Sequence, residues 1–270
     1  MSNAFVNVFR LALALGCLLV PGLSAAESVA DKQSILRQAR RAYYDLRQHG
    51  LSTFRCDLTP NWRLVLAQQV KDSPAAVETV IKLLDRLRFT VTLSEDDSVT
   101  LTHNDLPGQN QQTMDALKQI YGGMEQMTSG FFDTWKIFML APPLPDTDSD
   151  YELQANGPLY RLAYKETAAD VETTMTKDFA IANLNVTGTD FTSSIRPRFN
   201  RTAEGFVLAG YDASYRSAKP EDATELRISA DYQQLNGLQM LRKLSIAGTY
   251  GGEPFSNIEL TFSGCRVTKK

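Results

Sequence analysis

Thr224-Glu225-Leu226-Arg227-Ile228-Ser229-Ala230-Asp231-Tyr232 is the stretch that decides the fold, because Leu226, Ile228, Ala230 and Tyr232 alternate with Arg227, Ser229 and Asp231. A period of two sends the first set to one face of a strand and the second to the other, so this segment reads as a strand with one dry and one wet face. The pattern returns further on, where Ile258, Leu260 and Phe262 oppose Glu259 and Thr261. Between the two lies Asn236-Gly237, a dipeptide suited to a tight hairpin turn.

Working outward, strands are predicted over 151–154, 159–165, 169–176, 179–187, 193–199, 205–215, 224–232, 240–250 and 255–267. Turn-like pieces such as Lys177-Asp178, Ala203-Glu204-Gly205 and Gly251-Gly252 separate them, with no helical period in between. Such a run of strands without crossover helices implies an antiparallel meander.

The N-terminal half reads differently. Residues 29–49 are predicted as an amphipathic helix, with Ile35, Leu36, Ala39, Ala42, Tyr43 and Leu46 on one stripe and Gly50 as its stop. Residues 53–58 alternate as a short strand whose inner face includes Cys56, and Pro60 ends it. Helical pieces are predicted over 62–71 and 74–86, the second with Ser73 as N-cap and Pro74 at its first position. A hairpin over 88–95 and 98–103 turns on Glu95-Asp96-Asp97.

From 109 to 140 the period changes to three and four: Met114, Leu117, Tyr121, Met124, Phe131, Trp135 and Phe138 recur on one stripe, with Thr128 among them. One long helix, or two joined at Gly122-Gly123, accounts for this, and Ala141-Pro142-Pro143-Leu144-Pro145 stops it before an acidic linker over 146–150. Thioethers and aromatic rings adapt to greasy ligands of variable shape, so these seven residues are the candidate ligand-binding set. An apolar stripe is also what any core-facing helix carries.

The first 26 residues carry Arg10, an apolar run over 11–20, Pro21-Gly22 and Ser24-Ala25-Ala26. This is the plan of a secretory signal peptide cleaved after Ala26, too short in its apolar part to serve as a membrane anchor. Cys17 follows Ala14-Leu15-Gly16, where the order of residues departs from a lipidation signal. Removal of Cys17 leaves Cys56 and Cys265, and an even pair in an exported chain favours a disulfide over two buried thiols. Closing so long a loop contributes on the order of 4 to 5 kcal/mol on the chain-entropy model. Uninterrupted alternation would put Cys265 on the polar face, with Glu259, Thr261 and Ser263, so the bond requires a bulge, expected at Gly264.

Composition narrows the function. Loss of Arg10 with residues 1–26 takes Lys+Arg from 28 to 27 against 31 Asp+Glu, so net charge moves from −3 to −4. A mildly acidic, mixed surface lacks the positive field that a phosphate backbone demands, which argues against nucleic acid. The two histidines, His49 and His103, form no ligand spacing, and neither C-x-x-C nor G-x-S-x-G occurs. No cofactor, metal or catalytic residue is expected. Glu95-Asp96-Asp97 reads as a solvated turn in preference to a weak calcium site. Asn185-Val186-Thr187 and Asn200-Arg201-Thr202 match the glycosylation pattern, which matters only in a eukaryotic secretory route.

The stretch Tyr232-Gln233-Gln234-Leu235-Asn236-Gly237-Leu238-Gln239, followed by 242–250 and 258–267, resembles the bacterial periplasmic lipoprotein carriers of the outer-membrane lipoprotein-sorting superfamily. That resemblance covers the helix at 29–49 and most of 151–267. The helical segment 62–86 and the size of the block 109–140 depart from it, and no functional residue is carried over. It implies an unclosed barrel with an apolar hollow able to shield acyl chains.

The expectation is therefore an exported, periplasmic α+β protein with a single domain over 27–270. Its curved antiparallel sheet, an incomplete β-barrel, carries helices across the concave face and binds a lipid or an acylated protein without catalysis. An envelope sensor or assembly factor using the sheet as a protein-binding surface is the alternative, and a carboxylate-dependent hydrolase the second.

Overall fold

The computed structural model describes residues 29–270 apart from 167 and 220–222. The expected signal peptide and Cys17 lie outside the described residues. The chain runs α1 (Val29–Arg41), β1 (Leu51–Pro60), α2 (Trp62–Val65), α3 (Ala67–Asp72), α4 (Pro74–Leu84), β2 (Phe89–Leu93), β3 (Val99–His103) and α5 (Gln111–Met139). Nine strands follow: β4 (Tyr151–Asn156), β5 (Leu159–Glu166), β6 (Ala169–Thr176), β7 (Ile181–Thr187), β8 (Phe191–Thr202), β9 (Gly205–Ser217), β10 (Thr224–Leu235), β11 (Leu238–Tyr250) and β12 (Glu253–Lys269).

All twelve strands form one sheet in the order β3-β2-β1-β12-β11-β10-β9-β8-β7-β6-β5-β4. It is antiparallel and not closed. Every neighbour is a neighbour in sequence except β1 and β12, whose pairing stitches the N-terminal hairpin to the end of the meander. Each predicted strand is present, and β10 shows the expected parity: Ile228 and Ala230 are buried while Arg227, Ser229 and Asp231 are exposed. The turn between β10 and β11 places Asn236 at φ 52° and Gly237 at φ 77°, the left-handed pair of a two-residue hairpin.

Two helical boundaries differ from the sequence reading. Helix α1 stops at Arg41, eight residues before its expected end, because the following backbone is engaged elsewhere. Phe206 N–H donates to the Ala42 carbonyl (2.8 Å), Tyr44 N–H to the Phe206 carbonyl (3.1 Å) and Leu46 N–H to the Met139 carbonyl (2.8 Å). Gly205 permits this approach, since a Cβ there would lie 2.8 Å from the backbone of Tyr43 and Tyr44. Tyr43 and Leu46 thus stay buried, and Ala42 half-buried, while losing the helix. The segment 62–71 divides into α2 and α3, and Ser73 precedes α4 without a side-chain capping bond.

Helix α5 is continuous through Gly122 and Gly123, whose outward positions have nothing within 4 Å of a built Cβ. Its N-terminus is satisfied by Asn110, whose side chain accepts from Thr113 N–H at 2.9 Å.

Candidate functional site

The seven stripe residues are brought together on α5. Leu117, Met124, Phe131, Trp135 and Phe138 are buried, while Met114 and Tyr121 are half-buried. Trp135 is 0% exposed, and its indole N–H donates to the Tyr232 hydroxyl of β10 at 3.1 Å. Its ring meets Phe54 of β1 at 6.1 Å and Phe132 at 5.4 Å. Phe132 in turn meets Phe262 of β12 at 6.3 Å, and Phe138 meets Phe199 of β8 at 5.9 Å. Thr134 and Tyr215 share a hydroxyl contact of 3.3 Å. At the other end of the helix Tyr121 stacks on His103 of β3, with centroids 3.6 Å apart. The C-terminal half of the stripe is therefore core, and burial pushes the Tyr211 and Tyr232 phenols well above the ordinary range.

Cys56 and Cys265 stand at disulfide distance, with Cα atoms 4.1 Å apart and 209 residues between them in sequence. The register that allows this is the expected bulge. From Arg55 to Asp57 on β1 is a step of two residues, while their partners Arg266 and Ser263 on β12 are three apart. Gly264 takes φ 57°, the left-handed conformation of a glycine bulge, and turns Cys265 against the core.

The acidic triplet forms the β2–β3 turn. Asp97, at φ 63°, pairs with Arg47, and Glu95 accepts from the Ser52 hydroxyl at 2.6 Å. Among the described residues no cluster of three or more His, Cys, Asp or Glu could hold a metal ion. His49 stacks on Tyr44 with centroids 4.5 Å apart.

The hollows lie elsewhere. One of about 980 Å³ is lined by β4 to β9, and a second of about 500 Å³ by β8 to β11; they share Ser194, Ser214 and Arg216. None of the seven stripe residues lines either hollow. Both open on the sheet face opposite α5, since Tyr215 reaches Thr134 of that helix and its neighbours Ser214 and Arg216 point the other way.

Register explains why the hollows join. Glu152 pairs with Ala163, Ala163 with Glu172 and Glu172 with Asn185. Asn185 then pairs with Ser194, Ser194 with Ser214, Ser214 with Glu225 and Glu225 with Thr249. This single cross-strand row, one residue per strand from β4 to β11, lines both hollows, which together form a trough. Seven spacings of about 4.8 Å make it roughly 34 Å long. Its centre is small and uncharged: Asn185, Ser194 and Ser214 are half-buried. The Ser194 hydroxyl donates to Asn183 Oδ1 at 3.1 Å, and Asn183 donates to Asn185 Oδ1 at 2.8 Å.

The ends differ in charge. Toward β4 stand Asp150, Glu152, Asp170 and Glu172 with Lys165. The Arg161 guanidinium, hydrogen-bonded to Glu172, holds that carboxyl below its usual range. Toward β10 stand Arg196, Arg216 and Arg227 with Asp212 and Glu225. Asp212 is shared by Arg198 (3.1 Å) and Arg227 (3.2 Å), which leaves Arg196 and Arg216 without an ion-pair partner among the described residues.

Of these residues the sequence pattern places Arg227 on a wet face and marks Asn185 only as part of a glycosylation pattern; the others carry no signal of their own. Parity identifies which side chains share a face, but the alignment of eight strands into one row depends on registers that one sequence does not display. No family model, curated protein or solved structure matches the chain.

Proposed function

We propose that the chain is an exported, non-catalytic binding protein that uses the polar face of its open sheet to hold an extended segment of a partner protein in the envelope. The observation that carries this reading is the trough: one row of register partners crossing β4 to β11. Its length, roughly 34 Å, accommodates about ten extended residues. Small-molecule sites are enclosed mainly by apolar and aromatic groups, whereas the row from Glu152 to Thr249 is polar except for Ala163, with Tyr151, Tyr164, Val171 and Leu226 also lining the hollows. Export is supported by the residue plan of the first 26 positions and by a cysteine pair at disulfide distance, as suits an oxidising compartment.

A carrier of lipid or lipoprotein acyl chains is the second reading. It is favoured by the N-terminal half of α5, where Met114, Ile120, Tyr121 and Met127 are only half-buried. Under that reading the sheet acts as an incomplete barrel with helices across its concave face, and α5 must lift to expose the stripe. Burying hydrocarbon is worth about 0.8 kcal/mol per methylene, a gain that would have to offset the cost of displacing the helix.

Photo-crosslinking in living cells tests the leading reading. A benzophenone amino acid replaces Ser194 or Ser214 in the trough, or the half-buried Glu78 on α4 as a control away from it. A discrete protein adduct at 194 and 214 and none at 78 is the expected outcome. No adduct in the trough, or the same adduct at all three positions, contradicts it.

A further inference from the structure

The trough's two ends carry different charge, and this bears on what lies in it. Resting on the proposal that the trough holds an extended polypeptide, we infer that the partner segment is charge-segregated, with basic residues over β4 to β6 and acidic residues over β8 to β10. At the first end Glu152 and Asp150 have no salt bridge among the described residues, whereas Glu172 and Asp170 are engaged by Arg161 and Lys165. At the second, Arg196 and Arg216 are exposed and have no ion-pair partner among the described residues, while Asp212 is held between Arg198 and Arg227.

Arg196 and Arg216 flank the Ser194–Ser214 pair from opposite sides. Arg196 sits opposite Asp212 on the adjacent strand and Arg216 opposite Thr192, so the two guanidinium groups bracket the floor. Guanidinium forks in that arrangement suit carboxylates arriving along the trough. A polyanion such as a nucleic acid satisfies this end but meets four carboxylates at the other, and a polycation has the converse difficulty. Between the ends lie hydroxyl and amide groups from Asn185, Ser194 and Ser214 with room for small side chains. A polypeptide is the polymer that changes the sign of its charge within about ten residues.

The probe is a set of fluorescein-labelled twelve-residue peptides binding to the full chain, followed by anisotropy at low and at physiological salt. One peptide has three lysines at one end, three glutamates at the other and Gly-Ser repeats between. The second has the same six charged residues interleaved, and the third has lysine at both ends. The expected result is that the segregated peptide binds roughly tenfold more tightly than the interleaved one, a preference reduced by salt. In Arg196→Glu/Arg216→Glu, the segregated peptide weakens by roughly tenfold and the doubly lysine-ended peptide strengthens.

These substitutions lie on exposed positions, and an unchanged urea midpoint verifies folding. Equal affinity for the segregated and interleaved peptides, with Ser214→Trp abolishing both, overturns the charge assignment and leaves the trough as a peptide site. Failure of every peptide to bind overturns the peptide-trough reading together with it.

Discussion

The buried Trp135 indole donates its N–H to the hydroxyl of the half-buried Tyr232 in a largely apolar seam. A buried donor costs far more when orphaned than it contributes when paired. Tyr232→Phe keeps the ring and removes the acceptor, so it is expected to lower stability by about 1 to 3 kcal/mol. Urea unfolding checks this: the midpoint falls while the slope stays fixed. The same contact explains why the stripe could be read in two ways from sequence. Trp135, Phe138 and Met124 have the chemistry of a ligand-binding lid, and what makes Trp135 core is a partner on β10, 97 residues away. Gly264 was legible for the opposite reason. Cys265 stands on the wrong parity, and a glycine one residue earlier is the local means of correcting it.

At the scale of elements, the β1–β12 pairing is the join on which the sheet's continuity depends. It links three N-terminal strands to a nine-strand meander, and the Cys56–Cys265 pair lies at its bulge. Alkylation under non-reducing conditions should modify no thiol among these two. The double replacement Cys56→Ser/Cys265→Ser is expected to cost as much as about 5 kcal/mol, the entropy of the opened loop, seen as a lower urea midpoint. Two alkylated cysteines in the untreated protein contradict the bond. Elements with a clean period were legible from sequence: nine strands from β4 to β12, the hairpin β2–β3 and the helical stripe of α5, though not its continuity through Gly122-Gly123. The end of α1 was not, because Ala42, Tyr43 and Leu46 maintain a helical stripe even where Phe206 and Met139 take over their backbone. Local pattern reports which face is buried, and tertiary hydrogen bonds decide the backbone beneath it.

At the scale of the whole molecule, two surfaces compete for the working role. One is the apolar side, where α5 makes ring and hydroxyl contacts to β1, β8, β10 and β12. The other is the polar side, where a row from Glu152 to Thr249 forms the trough floor. The residues of that floor carry no signal in the sequence beyond lying within predicted strands, apart from Asn185 in a glycosylation pattern. Their alignment emerges only when Glu172, Asn185, Ser194 and Ser214 fall into one register across the sheet. Among the described residues no helix is long and apolar enough to span a membrane.

Hydrogen exchange on the full chain separates the two surfaces directly, with saturating charge-segregated peptide in one arm and a sixteen-carbon fatty acid in the other. The trough account predicts slowed amide exchange across β7 to β10 with the peptide and unchanged exchange along α5 with the fatty acid. Altered exchange along α5 with the fatty acid, and none in β7 to β10 with the peptide, would contradict it.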